Sequence, residues 1–134
     1  MAESVPKCLF CDIYQNKTEP IFYENEHFYA RFDNFPASPG HCEIVSKRHV
    51  VSFFELTAEE APFLLEANKE AKKIIDEKFH PDAYNIGVND GEAAGRTIHH
   101  LHIHLIPRYS GDMENPRGGV RHIIPGKGDY TKQS

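Results

Sequence analysis

The sequence has few cysteines, no tryptophan and no long apolar run. Its 134 residues include three cysteines, and two of them form the close pair Cys8 and Cys11. An odd number with this spacing does not suit a secreted disulfide framework and favours thiols or metal ligands in a reducing compartment. No segment approaches the roughly 18 apolar residues of a membrane span, and residues 1–7 lack a signal-peptide core. We therefore expect a soluble, cytoplasmic protein with no membrane partner.

Positive charge is also scarce. Fifteen Lys and Arg residues against twenty Asp and Glu residues give a net charge of −5. Because general nucleic-acid binding requires a basic face, this balance predicts no nucleic-acid partner. The cations of the last third are Arg96, Arg108, Arg117, Arg121, Lys127 and Lys132. Their clustering in sequence favours a local anion site on an acidic protein.

Length and composition indicate one domain over residues 1–134. At 40% hydrophobic residues, the chain is long enough to bury a core without disulfides. We divide it into an N-terminal Cys-x-x-Cys segment (1–14), a central body and a C-terminal extension (110–134) that is rich in glycine and proline. No internal repeats are visible.

The pattern of short apolar runs and turn residues predicts an α+β fold with a mainly antiparallel sheet. A long helix is predicted after Thr57, which forms a capping box with Glu60, although Pro62 indicates a distorted first turn or a later start. The helix should end at residues 79–81. Strands are predicted at 20–23, 27–32, 41–46, 83–88 and 98–106, with loops at 33–40 and 89–95.

The strongest chemical signal is the alternation His100, His102, His104 in the last predicted strand. Successive side chains of a strand point to opposite faces, so the three imidazoles share one face and the intervening leucine and isoleucine share the other. Such a row suits a ligand with several charged oxygens, such as a phosphate chain. A generic solvated face is an alternative, and a metal ion is another, although one strand separates the rings too widely for all three to bind one ion.

The run from Gly95 to Arg108 resembles the signature of the histidine triad (HIT) family. The resemblance extends to the Cys8 to Ile13 segment, the loop from Asp33 to His41, the Lys47 to His49 turn, and Asn89. It implies a five-stranded HIT-like sheet with one long helix, continued edge to edge across a homodimer. It also implies a nucleotide hydrolase or transferase that acts at an α-phosphate.

By this resemblance, His100, His102 and His104 are catalytic, and His102 is the nucleophile that forms a nucleotidyl-histidine intermediate. A neutral imidazole is nucleophilic near pH 7, provided that its other N–H is held by an acceptor. His104 would contact the phosphates or the leaving group, where oriented donors stabilise developing charge.

The resemblance also indicates which other residues hold the nucleotide. Asp33 aligns with the ribose-binding acid of the family. A role that is only structural, at the start of a turn, accounts for an aspartate here equally well. The candidates for phosphate binding are His102, His104, Asn89, Gly95, Arg96 and Thr97. Arg96 replaces the glutamine of many relatives, and if it faces the site, it favours substrates with more negative charge. Ile13 or Phe32 could line a base pocket, although single apolar residues usually belong to the core.

The Cys8 and Cys11 pair resembles the zinc-binding branch of the family. The other two ligands would then be His49 and His100, which completes a structural tetrahedral site. The alternative is a pair of small buried thiols. Cys42 has no evident partner and is expected to pack in the core.

These observations predict a hydrolase of dinucleoside polyphosphates such as diadenosine tetraphosphate, with a purine nucleotide as the bound unit. Arg117 and Arg121 in the C-terminal extension could hold a longer phosphate chain. Two alternatives remain open. One is hydrolysis of nucleoside phosphoramidates, such as those of adenosine, and the other is a nucleotide-binding scaffold without turnover.

Overall fold

The computed structural model describes residues 7–132. Its five strands are β1 (Tyr23–Glu24), β2 (Phe28–Phe32), β3 (Cys42–Ser46), β4 (Ala83–Gly87) and β5 (His102–Arg108). Its two α-helices are α1 (Leu9–Asn16) and α2 (Ala61–Phe79). Short 3₁₀ turns lie at Phe53–Glu55, Glu92–Ala94, Gly119–Ile123 and Tyr130–Lys132. The predicted α+β class with one long helix is confirmed.

The strands form a single sheet in the order β1-β2-β3-β5-β4, and every neighbouring pair is antiparallel. The predicted five-stranded antiparallel sheet is therefore confirmed. Strand β3 lies at its centre and pairs with β5, so that Glu43 is directly opposite His104 and Val45 is opposite His102. One sheet edge is the two-residue strand β1, and the other is the longer strand β4.

The predicted bounds of the histidine strand, 98–106, are wrong at both ends. The strand begins at His102. The His100 ring before it contacts the sulfurs of Cys8 and Cys11 at the start of α1 through Nδ1, and its Nε2 donates to the Ser46 carbonyl at the end of β3 at 2.7 Å. At the other end, the strand continues through Pro107, which pairs with Tyr84. Proline has no N–H for the ladder. Its carbonyl instead accepts a hydrogen bond from the Ser38 hydroxyl.

Helix α2 begins at Ala61, later than the predicted cap at Thr57. The capping pair is present: the Glu60 N–H donates to Thr57 Oγ1 at 3.2 Å, and the Thr57 N–H donates to the Glu60 carboxylate at 2.9 Å. This pair closes a turn that precedes the helix. Pro62 then lies in the first helical turn, where no backbone donor is required. Of the two alternatives that Pro62 left open, the later start is therefore correct.

The main core lies between α2 and one face of the sheet. Leu101, Ile103 and Leu105 contribute to it, as the alternation in the histidine run predicts, and so does Cys42. A second, smaller cluster lies on the opposite face beneath α1, and its buried members are Phe10, Ile13, Tyr29 and Val45. Helix α1 was not predicted. Within residues 7–132, no helix combines the length and apolarity needed to cross a bilayer.

Candidate active site and metal centre

The three histidines of the signature separate into two groups instead of forming one row. The rings of His102 and His104 are neighbours on the α1 side of the sheet, with their centroids 5.1 Å apart. His100 precedes the strand and is fully buried, with its ring 4.9 Å from that of His49. The arrangement predicted for all three histidines, neighbours on one face of a strand, is therefore found only for His102 and His104.

The hydrogen bonds of His102 fix its tautomer. Its Nδ1 lies 2.7 Å from the carbonyl oxygen of His100. Because a carbonyl only accepts, Nδ1 carries the proton and Nε2 keeps a lone pair. Burial lowers the pKa of His102, and the positive charges of Arg31 and Arg96 lower it further, against the opposing effects of Asp33 and the carbonyl. The ring is therefore neutral at pH 7, with an available nucleophilic nitrogen.

A chain of hydrogen bonds likewise fixes the proton on His104. The Ala37 N–H donates to Nδ1 of His41 at 2.9 Å, so the neutral His41 ring carries its proton on Nε2. This Nε2 lies 2.9 Å from Nδ1 of His104 and donates to it. His104 therefore carries its own proton on Nε2, where it can donate to a bound anion. Burial lowers the pKa of both rings and keeps them neutral.

His41 is a functional candidate that the sequence reasoning did not assign. It follows Gly40, directly before β3, and is 6% exposed. Gly40 has a φ of +89°, and a Cβ at this position would lie 3.0 Å from the Phe79 ring. In the sequence, the feature that could have indicated His41 is a Gly-His pair directly before a central strand.

Asp33 follows the last residue of β2 and faces the same histidines. One carboxylate oxygen accepts from the Phe35 N–H at 2.8 Å, and the other lies 3.6 Å from Nε2 of His41. Burial raises the pKa of Asp33, but the Phe35 N–H, a hydrogen bond with the Glu43 side chain, and the charges of His41 and His104 outweigh it, so that the net pKa is lowered. The structure thus brings an ionised carboxylate to His41 and His104.

A buried ion pair lies in the same cross-strand row as His104. Arg31 of β2 is paired with Glu43 of β3, which is paired with His104 of β5. Arg31 is 4% and Glu43 is 5% exposed, and Nη1 of Arg31 donates to the Glu43 carboxylate at 2.6 Å. Glu19 binds the other side of the guanidinium. The sequence reasoning missed this pair, although a charged residue inside each of two apolar strands is a visible signal.

The loop that leads to the histidines holds the remaining phosphate-side candidates. Asn89, Gly95 and Thr97 are all exposed, and Thr97 lines a cavity of about 340 Å³ together with Cys8 and His49. Arg96 is half-buried, and it donates to His99 at 3.1 Å and to the Val51 carbonyl at 3.3 Å.

The two residues that were predicted to line a base pocket lie on opposite faces of the sheet. Ile13 is fully buried beside Phe10, whose ring lies 4.9 Å from that of His102. Phe32 stacks on Phe22 and packs against the core beneath α2, away from the histidines. Only Ile13 is therefore on the correct side for a base pocket.

The two C-terminal arginines contact other parts of the C-terminal extension. Arg117 contacts the Thr131 hydroxyl at 3.5 Å, and Arg121 donates to the Lys127 carbonyl at 3.0 Å. The 3₁₀ turn that contains Arg121 packs against β4.

A second cluster joins the N-terminal segment to the start of β5. It consists of Cys8, Cys11, His49 and His100, whose potential ligand atoms all lie within 4.8 Å of one another. Nδ1 of His100 is 3.2 Å from the Cys8 sulfur and 3.5 Å from the Cys11 sulfur, and Nδ1 of His49 is 3.3 Å from the Cys11 sulfur. These four residues are the predicted metal ligands.

The donor set fits a tetrahedral metal site. Nε2 of His100 donates to the Ser46 carbonyl at 2.7 Å, which leaves the Nδ1 lone pair directed at the sulfurs. Burial lowers the pKa of His100 to about 4, so the ring is neutral, as a ligand must be. Typical zinc–sulfur and zinc–nitrogen bonds at tetrahedral angles place sulfur and nitrogen ~3.5 Å apart, which agrees with the observed separations.

Comparisons with known proteins agree with this geometry. The HIT domain family model matches residues 15–111. An uncharacterised HIT-like protein of Methanocaldococcus jannaschii is 36% identical over 108 residues, which cover 80% of this chain and 83% of that protein. A bis(5′-adenosyl)-triphosphatase of Dictyostelium discoideum is 36% identical over 95 residues, covering 71% and 64%. The crystal structure of a zinc-bound histidine triad family protein from Mycobacterium smegmatis matches with a TM-score of 0.73 and 31% identity, covering 81% and 80%.

Proposed function

Because the chain belongs to the HIT family, we propose that it is a nucleotide hydrolase in which His102 forms a nucleotidyl-histidine intermediate. The observation that carries this proposal is the arrangement of protons on two neighbouring rings. His102 keeps a lone pair on Nε2, while His104 keeps a hydrogen on Nε2. A nucleophile and a donor for charged oxygens therefore lie side by side on one strand.

The proposed reaction has two steps. In the first, Nε2 of His102 attacks the α-phosphorus, a bond from nitrogen to phosphorus forms, and the bond to the leaving group breaks. In the second, water attacks the same phosphorus and loses a proton to the solvent, the bond from phosphorus to nitrogen breaks with its electron pair returning to Nε2, and the nucleoside monophosphate is released. The carbonyl of His100 holds Nδ1 throughout and stabilises the positive charge on the nucleotidylated ring.

Charged and polar groups around His102 are suited to hold the nucleotide. Nε2–H of His104 and the guanidinium of Arg96 would bind phosphoryl oxygens, on which negative charge develops during transfer. The ionised carboxylate of Asp33 would accept hydrogen bonds from the two ribose hydroxyls. Asn89, Thr97 and the backbone at Gly95 would contact the phosphates.

We propose a dinucleoside polyphosphate, such as diadenosine tetraphosphate, as the substrate. Arg96 supports this choice, because a fixed positive charge favours a longer phosphate chain. The similarity to a bis(5′-adenosyl)-triphosphatase supports the same class. Hydrolysis of an adenosine phosphoramidate is the second candidate, since the same nucleophile would attack the same phosphorus. A scaffold that binds a nucleotide without turnover is the third.

We also propose that Cys8, Cys11, His49 and His100 bind zinc. The separations between their sulfur and nitrogen atoms support this assignment, as does the zinc-bound relative. The ion would supply a structural cross-link between α1 and the chain that precedes β5. His100 would then orient His102 through its carbonyl while its ring binds the metal.

A homodimer joined through β4 completes the proposal. Strand β4 is the longer of the two sheet edges, and Ile86 on it is 56% exposed. An exposed apolar edge strand is a template for pairing with another strand. A second copy of β4 would continue the sheet across the dimer axis.

A turnover assay tests the proposed function. Wild-type protein is incubated with diadenosine tetraphosphate and with an adenosine phosphoramidate, and adenosine monophosphate is measured. We expect faster release from the polyphosphate, and a loss of at least about 1,000-fold for His102→Ala. The control is His80→Asn, which changes an exposed histidine in the left-handed C-cap of α2, where asparagine is tolerated. Full activity of His102→Ala would exclude the nucleophile, and no turnover of either substrate by the wild type would favour the scaffold.

A further inference from the structure

The buried ion pair of Arg31 and Glu43 reaches the surface through Glu19. Glu43 binds Nη1 of Arg31, and Glu19 binds Nη2. The same oxygen of Glu19, Oε1, accepts from Nδ2 of Asn34 at 3.0 Å. Arg31 and Glu43 are 4% and 5% exposed, whereas the Glu19 side chain is 28% exposed and Asn34 is exposed. A ligand can therefore reach this polar network at Glu19 and Asn34, which we call the rim pair.

The network lies along one wall of the proposed nucleotide site. The Phe10 ring is 4.9 Å from the ring of His102, and Cζ of Arg31 is 5.6 Å from the centroid of the same Phe10 ring. From Arg31, the ion pair and the hydrogen bond just described lead to Asn34, which directly follows Asp33 in the chain. A continuous row of contacts therefore connects the proposed nucleophile to the proposed ribose acid.

The opposite wall of the site is filled by histidines. One carboxylate oxygen of Asp33 lies 3.6 Å from Nε2 of His41, which is 2.9 Å from Nδ1 of His104. A nucleotide with its phosphorus at His102 and its ribose hydroxyls at Asp33 cannot place its base on this filled side. The base is therefore directed to the wall that carries the rim pair.

The buried part of the network is a poor device for stability. Arg31 and Glu43 must both be removed from water, and apolar residues of similar volume usually serve stability as well or better. In the part of the chain that the structure describes, Nε of Arg31 is buried without a hydrogen-bond partner. Charged residues retained at this cost beside a ligand site favour a role in recognition, in which Arg31 holds the Glu19 carboxylate in place.

The hydrogen-bonding groups of the rim pair match one base. A carboxylate only accepts, and among residues 7–132 the recorded donors to Glu19 all bind Oε1, which leaves Oε2 for a ligand. The Asn34 amide has a second N–H to donate. The Watson–Crick edge of guanine presents the acceptor O6 beside two donors, N1–H and N2–H. Adenine presents one donor, N6–H, beside the acceptor N1, which a carboxylate repels.

We propose that Glu19 and Asn34 select guanine as the base of the nucleotide. This inference rests on the proposed function and names the base of its substrate. The Glu19 carboxylate accepts from N1–H and N2–H, and the Asn34 amide donates to O6. Adenosine substrates bind the same histidines and Asp33 and are turned over more slowly, because the edge of adenine leaves the carboxylate without its two donors.

Three substrates that differ only in the base test this selection. They are diguanosine, diinosine and diadenosine tetraphosphate, and kcat/KM is measured for each. Hypoxanthine, the base of inosine, keeps O6 and N1–H but lacks the amino group at N2. We expect kcat/KM for the guanosine substrate to exceed that for the adenosine substrate at least about 30-fold, with the inosine substrate between them, since sites built to bind donors discriminate strongly against bases that lack them.

Two variants separate the contacts of the rim pair. Glu19→Gln loses one acceptor, so its ratio of kcat/KM for guanosine over inosine should fall to within about twofold of unity. Asn34→Ala loses the donor to O6, so its ratio for inosine over adenosine should fall at least about fivefold. Glu77→Gln, at an exposed position on α2, is the matched control and should keep both ratios. Each value is a ratio within one variant, so the folded fraction of the protein cancels.

Binding of the three monophosphates, measured by isothermal titration calorimetry, makes the test independent of turnover. GMP should bind more tightly than IMP, and IMP more tightly than AMP, with the same loss of preference in Glu19→Gln. Equal affinities, a preference for AMP, or an unchanged guanosine preference in Glu19→Gln would overturn the inference while leaving the proposed function intact. A wild-type protein that binds none of the three would instead reject the proposed function itself.

Discussion

At the scale of single residues, hydrogen bonds around the histidines define where each proton lies. The sequence predicts a nucleophile at His102 from its place in the signature, but it does not show which ring nitrogen is available. That information comes from two contacts. The His100 carbonyl accepts a hydrogen bond from Nδ1 of His102, and Nε2 of His41, which is distant in sequence, donates to Nδ1 of His104. The sequence therefore predicts His102 and His104 as site residues, but it does not predict their protonation or the contact of His104 with His41.

His41→Ala tests the donor role of His104. Without the Nε2–H of His41, His104 can place its proton on either nitrogen, and the fixed donor to the phosphates is lost. We expect kcat to fall about 100-fold, whereas KM should change little, because the interaction strengthens in the transition state. Steady-state kinetics on diadenosine tetraphosphate measure both values. A rise in KM at constant kcat would instead assign His41 to ground-state binding.

Glu60 should make stability depend on pH. It is 5% exposed and accepts from Nε of Arg48 at 2.7 Å and from the Thr57 N–H at 2.9 Å. The Arg48 guanidinium lowers the pKa of Glu60 from 4.5 to about 2, and Thr57 adds to the effect against burial. This carboxylate therefore stabilises the fold above pH 4.5, and its contribution disappears as the pH falls from 4.5 to about 2.

Glu60→Ala should lower the free energy of unfolding at pH 7 by about 2 kcal/mol, since it removes several charge-assisted hydrogen bonds. Urea unfolding of wild type and variant should show this gap at pH 7 and a smaller one below pH 4.5. Glu59→Ala, at an exposed position next to it, is the control and should change stability little. A gap that is constant from pH 7 to pH 3 would contradict the role of the ionised carboxylate.

At the scale of secondary-structure elements, most of the fold is visible in the sequence. The alternation of apolar residues predicts the face of β5 that packs on α2, and the capping pair predicts the approach to that helix. Helix α1 and the late start of β5 were missed for one common reason. Both depend on contacts between the N-terminal cysteines and His100, which local patterns of hydrophobicity do not report.

The same contacts predict that zinc holds α1 against the sheet. Cys8→Ser should abolish stoichiometric zinc and lower the melting temperature by about 10 °C, because a bound ion stabilises the folded state by a few kcal/mol. Metal analysis and thermal unfolding, with and without a chelator, measure both effects. Cys42→Ser is the control for zinc content, because Cys42 lies in the core under α2. Wild-type protein without zinc would reject the assignment.

At the scale of the whole molecule, the histidine site and the proposed dimer edge lie on neighbouring strands of one sheet. The histidines occupy β5, while β4 beside it forms the edge and presents Ile86 to solvent. The C-terminal extension packs against β4 through the turn at Gly119–Ile123. A dimer through β4 would therefore bring the extension of one protomer near the site-bearing sheet of the other.

Ile86→Lys should weaken this dimer. A charge in the centre of the paired edge should raise the dissociation constant at least about 30-fold, as the loss of a central apolar contact does in other interfaces. Light scattering after size-exclusion chromatography measures the mass as a function of concentration. Leu65→Lys is the control, since Leu65 is 57% exposed on α2, which packs near β1, β2 and β3. A wild-type monomer, or an unchanged dimer in Ile86→Lys, would contradict the β4 interface.

The most direct test of the whole account is to trap the intermediate on His102. Wild-type protein is mixed with diadenosine tetraphosphate, quenched with base within milliseconds and digested, and the peptides are mapped by mass spectrometry. The account predicts one adenylyl group, on His102, that is released by acid. Turnover without any protein-bound nucleotide, or a stable adduct on a different residue, would contradict it.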